Sequence, residues 1–378
     1  MPLIIDGGRV PPRWAERNDL GRTVSARSHA VAPECVKIAF IDNMPDPALE
    51  DTEMQFFELL DVAAGDIPVR LQLYSLSGVP RGERGQQHVE SFYCGSDDLL
   101  NKQFDAVIMT GTEPRQPDLR NEPYWSALVK VLDWAESNTV STILSCLAAH
   151  ASVLHGEGIQ RHLLSDKRFG VFDFVKGIDH QLTGGTGDRV RFPHSRWNEV
   201  QADELTAGGY LVLTQSPEGG VDSFVKKKGR SLFVHFQGHP EYDAQTLLRE
   251  YRRDVKRYLR SERETYPSLP KGYFDSQTAR LMIDFRDAVL SDRREERMEG
   301  FPQALAGTLQ KTWQSSARAV YGNWLRYVVS NKSDMPKFSA VAAARESVER
   351  KRSALVRRGE HTRPTPSVSD IKMRDRSR

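Results

Sequence analysis

Apolar and polar positions alternate between two rhythms from residue 36 to about residue 150. VKIAFID (36–42) is an apolar, β-branched run that breaks at the polar NMPDP, the pattern of a buried strand entering a loop. ALEDTEMQFFELLDVA (48–63) then sets Met54, Phe57, Leu60 and Val62 near one helical face, with acidic residues early, where the helix dipole favours them. RLQLYSL (70–76) and FDAVIMTG (104–111) read as strands, YWSALVKVLDWAESN (124–138) as an amphipathic helix, and VSTILSC (140–146) as another buried strand. The small, helix-favouring LAAHASVLHG follows at once. Strands alternating with helices predict βαβ units and a parallel sheet, an α/β fold.

After about Gly170 the rhythm turns strand-like. VRFPHSRW, LVLTQS and SFVKKKGRSLFVHFQGHPEY have hairpin spacing, with KKKG as a turn. A strong helix is predicted at DAQTLLREYRRDVKRYLRSE. The expected organisation is a loosely ordered arm over 1–35, an α/β catalytic domain over 36–261 and a helical C-terminal part over 262–330 packed on the core. A basic, largely disordered tail is expected over 331–378, with one helix around 338–357.

Composition narrows the function classes. A chain of 378 residues with 39% hydrophobic content can bury a sizeable core. A net charge of +2 asks for neither nucleic acid nor a membrane surface as partner. Three cysteines, Cys35, Cys94 and Cys146, are too few for a disulfide framework and match no zinc spacing. No metal or cofactor signal appears. No apolar run approaches the ~20 residues of a membrane span, and the N-terminus lacks a secretory pattern, so cytoplasm is the expected compartment.

Cys146 ends an apolar strand and precedes a helix. A sharp turn there exposes a nucleophile at the carboxyl edge of a sheet, and the helix N-terminus favours an anionic sulfur and offers N–H groups to an oxyanion. A buried core thiol is the competing reading, since free cysteine is among the most buried residues. His239 and Glu241 shift the balance. They lie in GHPEYDAQT, also between an apolar run and a helix, and the intervening Pro240 helps fix their backbone. A thiol needs a base, and the base needs an acceptor that holds its tautomer.

This layout resembles class I glutamine amidotransferases, and more closely the homoserine O-succinyltransferases of that superfamily. The resemblance rests on NMP (43–45), Phe92-Tyr93-Cys94, FDAVIMTG, Tyr124-Trp125, STILSC, FGVF (169–172), PHSRW (193–197), GHPEYDAQTL with EYRRD after it, and NWL (323–325). It covers roughly residues 36–330. It implies a flavodoxin-like, mostly parallel sheet with helices on both faces. It also implies a Cys146–His239–Glu241 triad, an acyl-CoA co-substrate and no separate cofactor, homoserine as acceptor in methionine biosynthesis, and a homodimer. By the same resemblance, Lys167 meets a substrate or donor carboxylate, Ser195 and Arg196 line the site, and Arg253 grips the amino-acid carboxylate, for which a guanidinium fork suits. A solvated Lys167 and an Arg196 in a structural ion pair are the bland alternatives. Backbone N–H groups of Leu147 and the Gly111–Thr112 loop are the expected oxyanion donors.

Two stretches depart from the family. The segment after NMP is longer than usual and lacks the lysines common there. Arg115 stands in TGTEPRQPDL, where the family carries Gly for succinyl or Glu for acetyl transfer. A cation there suits the free carboxylate of a succinyl group; the alternative is an Arg115 in solvent or paired with Glu113 or Asp118. Acetyl-CoA as donor, serine as acceptor, a glutaminase-like hydrolase on the same triad, and a non-catalytic protein with a basic tail are the competing functions.

Overall fold

The computed structural model describes residues 3–6, 10–19 and 35–334. Among the described residues eleven strands form one sheet: β1 (Ile4–Asp6), β2 (Val36–Ile41), β3 (Val69–Ser75), β4 (Cys94–Gly95), β5 (Ala106–Met109), β6 (Ser141–Ser145), β7 (His162–Lys176), β8 (Arg189–Glu199), β9 (Leu211–Ser216), β10 (Gly220–Lys228) and β11 (Ser231–Phe236). Their order is β1-β3-β2-β5-β6-β11-β10-β9-β7-β8, with the short β4 beside β3. From β1 to β11 every neighbour is parallel; from β11 to β8 every neighbour is antiparallel. The run β3-β2-β5-β6-β11 is the flavodoxin-like strand order, and its carboxyl edge at the reversal is where such sheets place their sites.

The strands are continuous apolar runs because both faces are covered. Val36, Ile38 and Phe40 enter one core cluster, and Ala39 and Ile41 the other. The first face holds α1 (Pro12–Asp19), α2 (Asp46–Ala64) and, toward the C-terminus, α8 (Thr246–Leu259), α9 (Ser276–Ser291) and α10 (Gln314–Asn331). The second face holds α5 (Trp125–Asn138), α6 (Leu147–Glu157) and α7 (Ala202–Ala207); α3 (Glu83–Phe92) and α4 (Ser96–Leu99) flank β4. The NWL motif proves architectural. Asn323 Nδ2 donates to the carbonyls of Leu182 and Gly184 at 2.9 and 2.7 Å, and Trp324 Nε1 donates to Ser141 Oγ at 2.9 Å.

Three expectations change. Part of the supposedly loose arm is regular: β1 pairs with β3, Arg70 meets Asp6 at 2.6 Å, and Trp14 packs edge-on against Phe57 with ring centroids 5.5 Å apart. An apolar Leu3-Ile4-Ile5 patch and one tryptophan suffice, because the edge of a parallel sheet offers unpaired backbone and α2 offers an aromatic partner. In α2, Val62 is exposed, whereas Phe56, Leu60 and Ala63 are buried. Their i, i+4, i+7 spacing defines the true face, and Val62 lies about 100° off its neighbours. The three lysines of KKKG lie inside β10, and the turn is Gly229–Arg230, with Gly229 at φ +53°. Residues 335–378, including the helix expected around 338–357, lie outside the described residues.

Candidate active site

Strand β6 delivers Cys146 to the carboxyl edge of the sheet, and α6 begins at the next residue. Cys146 N donates to Phe236 O at 2.7 Å, continuing the β6–β11 pairing. The backbone then turns sharply, with Cys146 at φ 52° and ψ −112°. A side chain rarely occupies this region, and strain of this kind concentrates where a group must be presented. Cys146 is partly exposed, not sealed in the core.

Strand β11 delivers the base. His239 N donates to Pro193 O at 2.8 Å, which fixes the loop against β8. His239 Nδ1 lies 2.7 Å from Glu241 Oε1. That leaves Nε2 for the Cys146 sulfur, which lies close enough to act on the imidazole's charge. Tyr242 stacks on the imidazole at 4.2 Å and 18°. Burial favours the neutral ring, but the Glu241 carboxylate and the Cys146 sulfur outweigh it and raise the His239 pKa well above its ordinary value. Glu241 is 3% exposed, and its Oε2 has no partner among the described residues.

The loop after β5 forms the opposing wall. A Cβ on Gly111 would stand 2.9 Å from Leu147 N and 3.2 Å from Ser145 O, so only glycine lets this loop approach the first N–H of α6. Glu122 Oε1 accepts from the backbone N–H groups of Arg115 and Gln116 at 2.5 and 2.6 Å and holds the loop's far end. Gly111→Ala, which forces this loop away from Leu147 N, is expected to lower turnover by about 100-fold, the scale that losing one oxyanion donor has in enzymes generally. Steady-state kinetics would check this, and a loss confined to KM would refute it.

Farther along the edge, α8 presents a polar network. Glu250 Oε1 accepts from Tyr242 Oη at 2.7 Å, and its Oε2 accepts from Ser195 Oγ and lies 3.3 Å from Lys167 Nζ. Lys167 Nζ also donates to Asp254 Oδ2 at 3.0 Å and sits 4.1 Å from the centre of the Phe169 ring. Arg253 pairs with Asp254 Oδ1 through Nε and Nη2, each at 3.0 Å, and its charge also reaches Glu113 of the opposing loop. Burial would raise the Glu250 pKa, but Lys167 and Arg253 overcome it and hold the carboxyl below its ordinary value.

Most of the expected residues therefore meet at one edge. Cys146, His239, Glu241, Leu147 and Gly111 surround one point, and Thr112 adjoins them in the loop. Lys167, Ser195 and Arg253 join them through Tyr242 and Glu250. Lys167 is no surface lysine, with its side chain 9% exposed. Arg196 takes the bland role: buried, it spends its donors on His194 Nδ1, Asn198 O, Glu199 and Gly219 O. Arg115 is exposed, with no carboxylate at ion-pair distance among the described residues. Sequence reasoning missed Tyr242, Glu250, Asp254 and Glu122. The i, i+4 carboxylates Glu250 and Asp254, set among the apolar positions of α8, were the available signal.

A family model described as homoserine O-succinyltransferase matches residues 16–335. The chain belongs to that family. Homoserine O-succinyltransferase of Rhodopseudomonas palustris is 43% identical over 297 residues, covering 78% of this chain and 89% of that protein. The one from Bradyrhizobium japonicum is 41% identical over 335 residues, covering 87% and 99%. Among solved structures, a glutamine amidotransferase of Methylobacillus flagellatus aligns at TM-score 0.44 and 15% identity, covering 78% and 95%. Members of the homoserine O-succinyltransferase family are acyltransferases, and this chain is an enzyme of that class. No described helix is long and apolar enough to cross a membrane. Among the described residues no cluster of His, Cys, Asp and Glu is arranged to hold a metal ion.

The family's NMP motif has its own physical role here. Asn43 N donates to Thr110 Oγ1 at 2.8 Å, its Nδ2 to Thr110 O at 3.2 Å, and its Oδ1 accepts from Leu76 N at 3.2 Å, which ties together the ends of β2, β3 and β5. Beside it Asp42 is fully buried, and its Oδ2 has no partner among the described residues. Burial pushes this carboxyl up to about 7 despite hydrogen bonds from Met44 and Thr110 and the nearby Arg81. A carboxyl raised on folding stabilises fully below its unfolded value near 3.8 and loses that stabilisation as pH rises through about 7. The stability of Asp42→Asn relative to the parent should therefore climb between about pH 4 and pH 7 and level off above, by an amount on the order of 1–4 kcal/mol. Denaturant midpoints across that range would check it, and a flat difference would refute it.

Proposed function

We propose that the chain transfers the succinyl group of succinyl-CoA to the hydroxyl of L-homoserine through an acyl-enzyme on Cys146, in the cytoplasm and as a homodimer. The observation that carries this reading is the His239 imidazole set between the Cys146 sulfur and the buried Glu241 carboxylate, in a chain of this family.

His239 Nε2 takes the thiol proton, and Sγ attacks the thioester carbon. The oxyanion rests on the Leu147 N–H and an N–H of the Gly111–Thr112 loop. The C–S bond to CoA breaks, and the CoA sulfur receives the proton from His239. In the second half, His239 takes the homoserine hydroxyl proton, the oxygen attacks the acyl carbon, and the bond to Cys146 breaks as its sulfur receives the proton from His239. Two cations, Lys167 and Arg253, interleaved with two carboxylates, Glu250 and Asp254, suit a zwitterionic amino acid, whose carboxylate meets Arg253. Kinetics should be ping-pong.

Mass spectrometry after mixing with succinyl-CoA and acetyl-CoA together tests the reading. A succinyl increment on the peptide of Cys146 supports it. An acetyl increment favours the acetyl-transferase alternative, and ammonia release from glutamine without any increment favours a glutaminase. Arg253→Ala should raise the KM for homoserine by about 10- to 100-fold, the value of a charge-assisted pair, and leave the acyl-enzyme burst intact. Loss of the burst would overturn the role given to Arg253.

A further inference from the structure

Arg161 is the last residue before β7, and no motif marks it. The structure brings it to the same loop that borders Cys146. Its Nη2 donates to Gln116 O and Pro117 O at 3.4 and 3.2 Å, at the end of the segment that starts against Leu147 N at Gly111. These are the only protein acceptors it meets among the described residues, and no carboxylate lies at ion-pair distance. The guanidinium is half-buried, and the Cys146 sulfur lies within its electrostatic reach. Glu122, an acidic group within its electrostatic reach, has committed Oε1 to the backbone of Arg115 and Gln116. Its Oε2 and the Tyr124 hydroxyl are buried without partners among the described residues. Tyr124, Glu122, Cys146 and Asp118 are the groups whose charges Arg161 feels. Asp118 is itself engaged by Arg120 at 2.8 Å.

A half-buried guanidinium with free donors is costly unless an anion completes it. A succinyl thioester supplies one. Its free carboxylate sits two methylenes from the carbonyl that Cys146 attacks, whereas an acetyl group ends in a methyl. We propose that Arg161, rather than the exposed Arg115, receives the free carboxylate of the succinyl group and sets the preference for succinyl-CoA over acetyl-CoA. The assignment rests on the acyl-transfer reading above. The two carbonyls of Gln116 and Pro117 both accept from Nη2 and so fix the plane of the guanidinium, while Nε and Nη1 have no protein acceptor among the described residues and remain to meet the carboxylate.

The test compares kcat/KM for succinyl-CoA and acetyl-CoA, measured by CoA release, in the parent, Arg161→Gln and Arg161→Lys. Arg161→Gln should lower succinyl-CoA use by about 100-fold, the scale of a charge-assisted contact in a water-poor site, and leave acetyl-CoA use within about threefold. Arg161→Lys should lower succinyl-CoA use by about tenfold, because the charge stays and the planar group anchored on the two carbonyls goes. The lysine variant keeps the comparison decisive if glutamine prevents folding. A parallel fall with both donors would mark a structural residue and overturn the assignment. Succinyl transfer by the parent with an unchanged donor ratio in both variants overturns the role of Arg161 alone. A parent that uses acetyl-CoA only overturns both this assignment and the succinyl reading.

Discussion

Cys146→Ala should lower acyl transfer by at least about 10⁴-fold and abolish the acyl-enzyme, because in the proposed scheme the residue supplies both the attacking pair of electrons and the covalent way-station. What survives is binding and the oxyanion donors, which act without a nucleophile. The loss should not be additive. Cys146→Ala with His239→Ala should be no slower than Cys146→Ala alone, since a base without its thiol has nothing to activate. Stability should move the other way. At φ +52° any Cβ is strained, so Cys146→Gly should be more stable than Cys146→Ala by about 1 kcal/mol. Rapid-quench kinetics and paired unfolding curves would check both. Turnover near the parental rate in Cys146→Ala would refute the covalent scheme, and an alanine variant more stable than the glycine one would refute the strain.

The parts of this site that the sequence displays are those at strand ends. A buried parallel strand is an unbroken apolar run, so its end is visible as the place where the run stops. Both Cys146 and His239 stand there. The α/β rhythm and the hairpins of the second half are legible for the same reason. Residues that act from helix interiors or loops are not. Glu250 and Asp254 share the apolar face of an arginine-rich helix, a signal that names no partner. Their burial depends on β7 and β8 bringing Lys167 and Ser195 across, a contact more than fifty residues distant. Arg161 is one basic residue among many until a loop from another βα unit turns two carbonyls toward it. Arg196 shows the reverse error. It occupies a motif position beside Ser195, but strand alternation turns it into the protein, where four acceptors absorb it.

Glu241→Gln should cost about 10³- to 10⁴-fold in kcat while leaving the fold intact, since glutamine keeps the volume and one acceptor oxygen but not the charge. The structure gives the reason. One carboxylate oxygen holds Nδ1 of His239 at 2.7 Å, and the other is buried without a partner among the described residues, so the imidazole is the hydrogen-bonded partner of this charge and Lys311 acts on it only at longer range. That charge is the first of the influences that raise the His239 pKa against its burial. Removing it should move the His239 titration downward, which imidazole resonances would report. The stability difference follows from linkage. A histidine whose pKa is raised on folding contributes stability that is complete below its unfolded value near 6.5 and is lost as pH rises through the raised value. The parent should therefore exceed Glu241→Gln by most near pH 6, and the gap should narrow as the solution turns alkaline. Glutamine in this place also offers an amide that can turn its N–H₂ toward Nδ1, force the proton onto Nε2 and so point a donor, not an acceptor, at the thiol. In that tautomer the base cannot accept the proton of either cysteine or homoserine, so both half-reactions should slow together. An acyl-enzyme burst of normal rate followed by slow transfer would show that Glu241 serves only the second half and that the imidazole is oriented by some other contact.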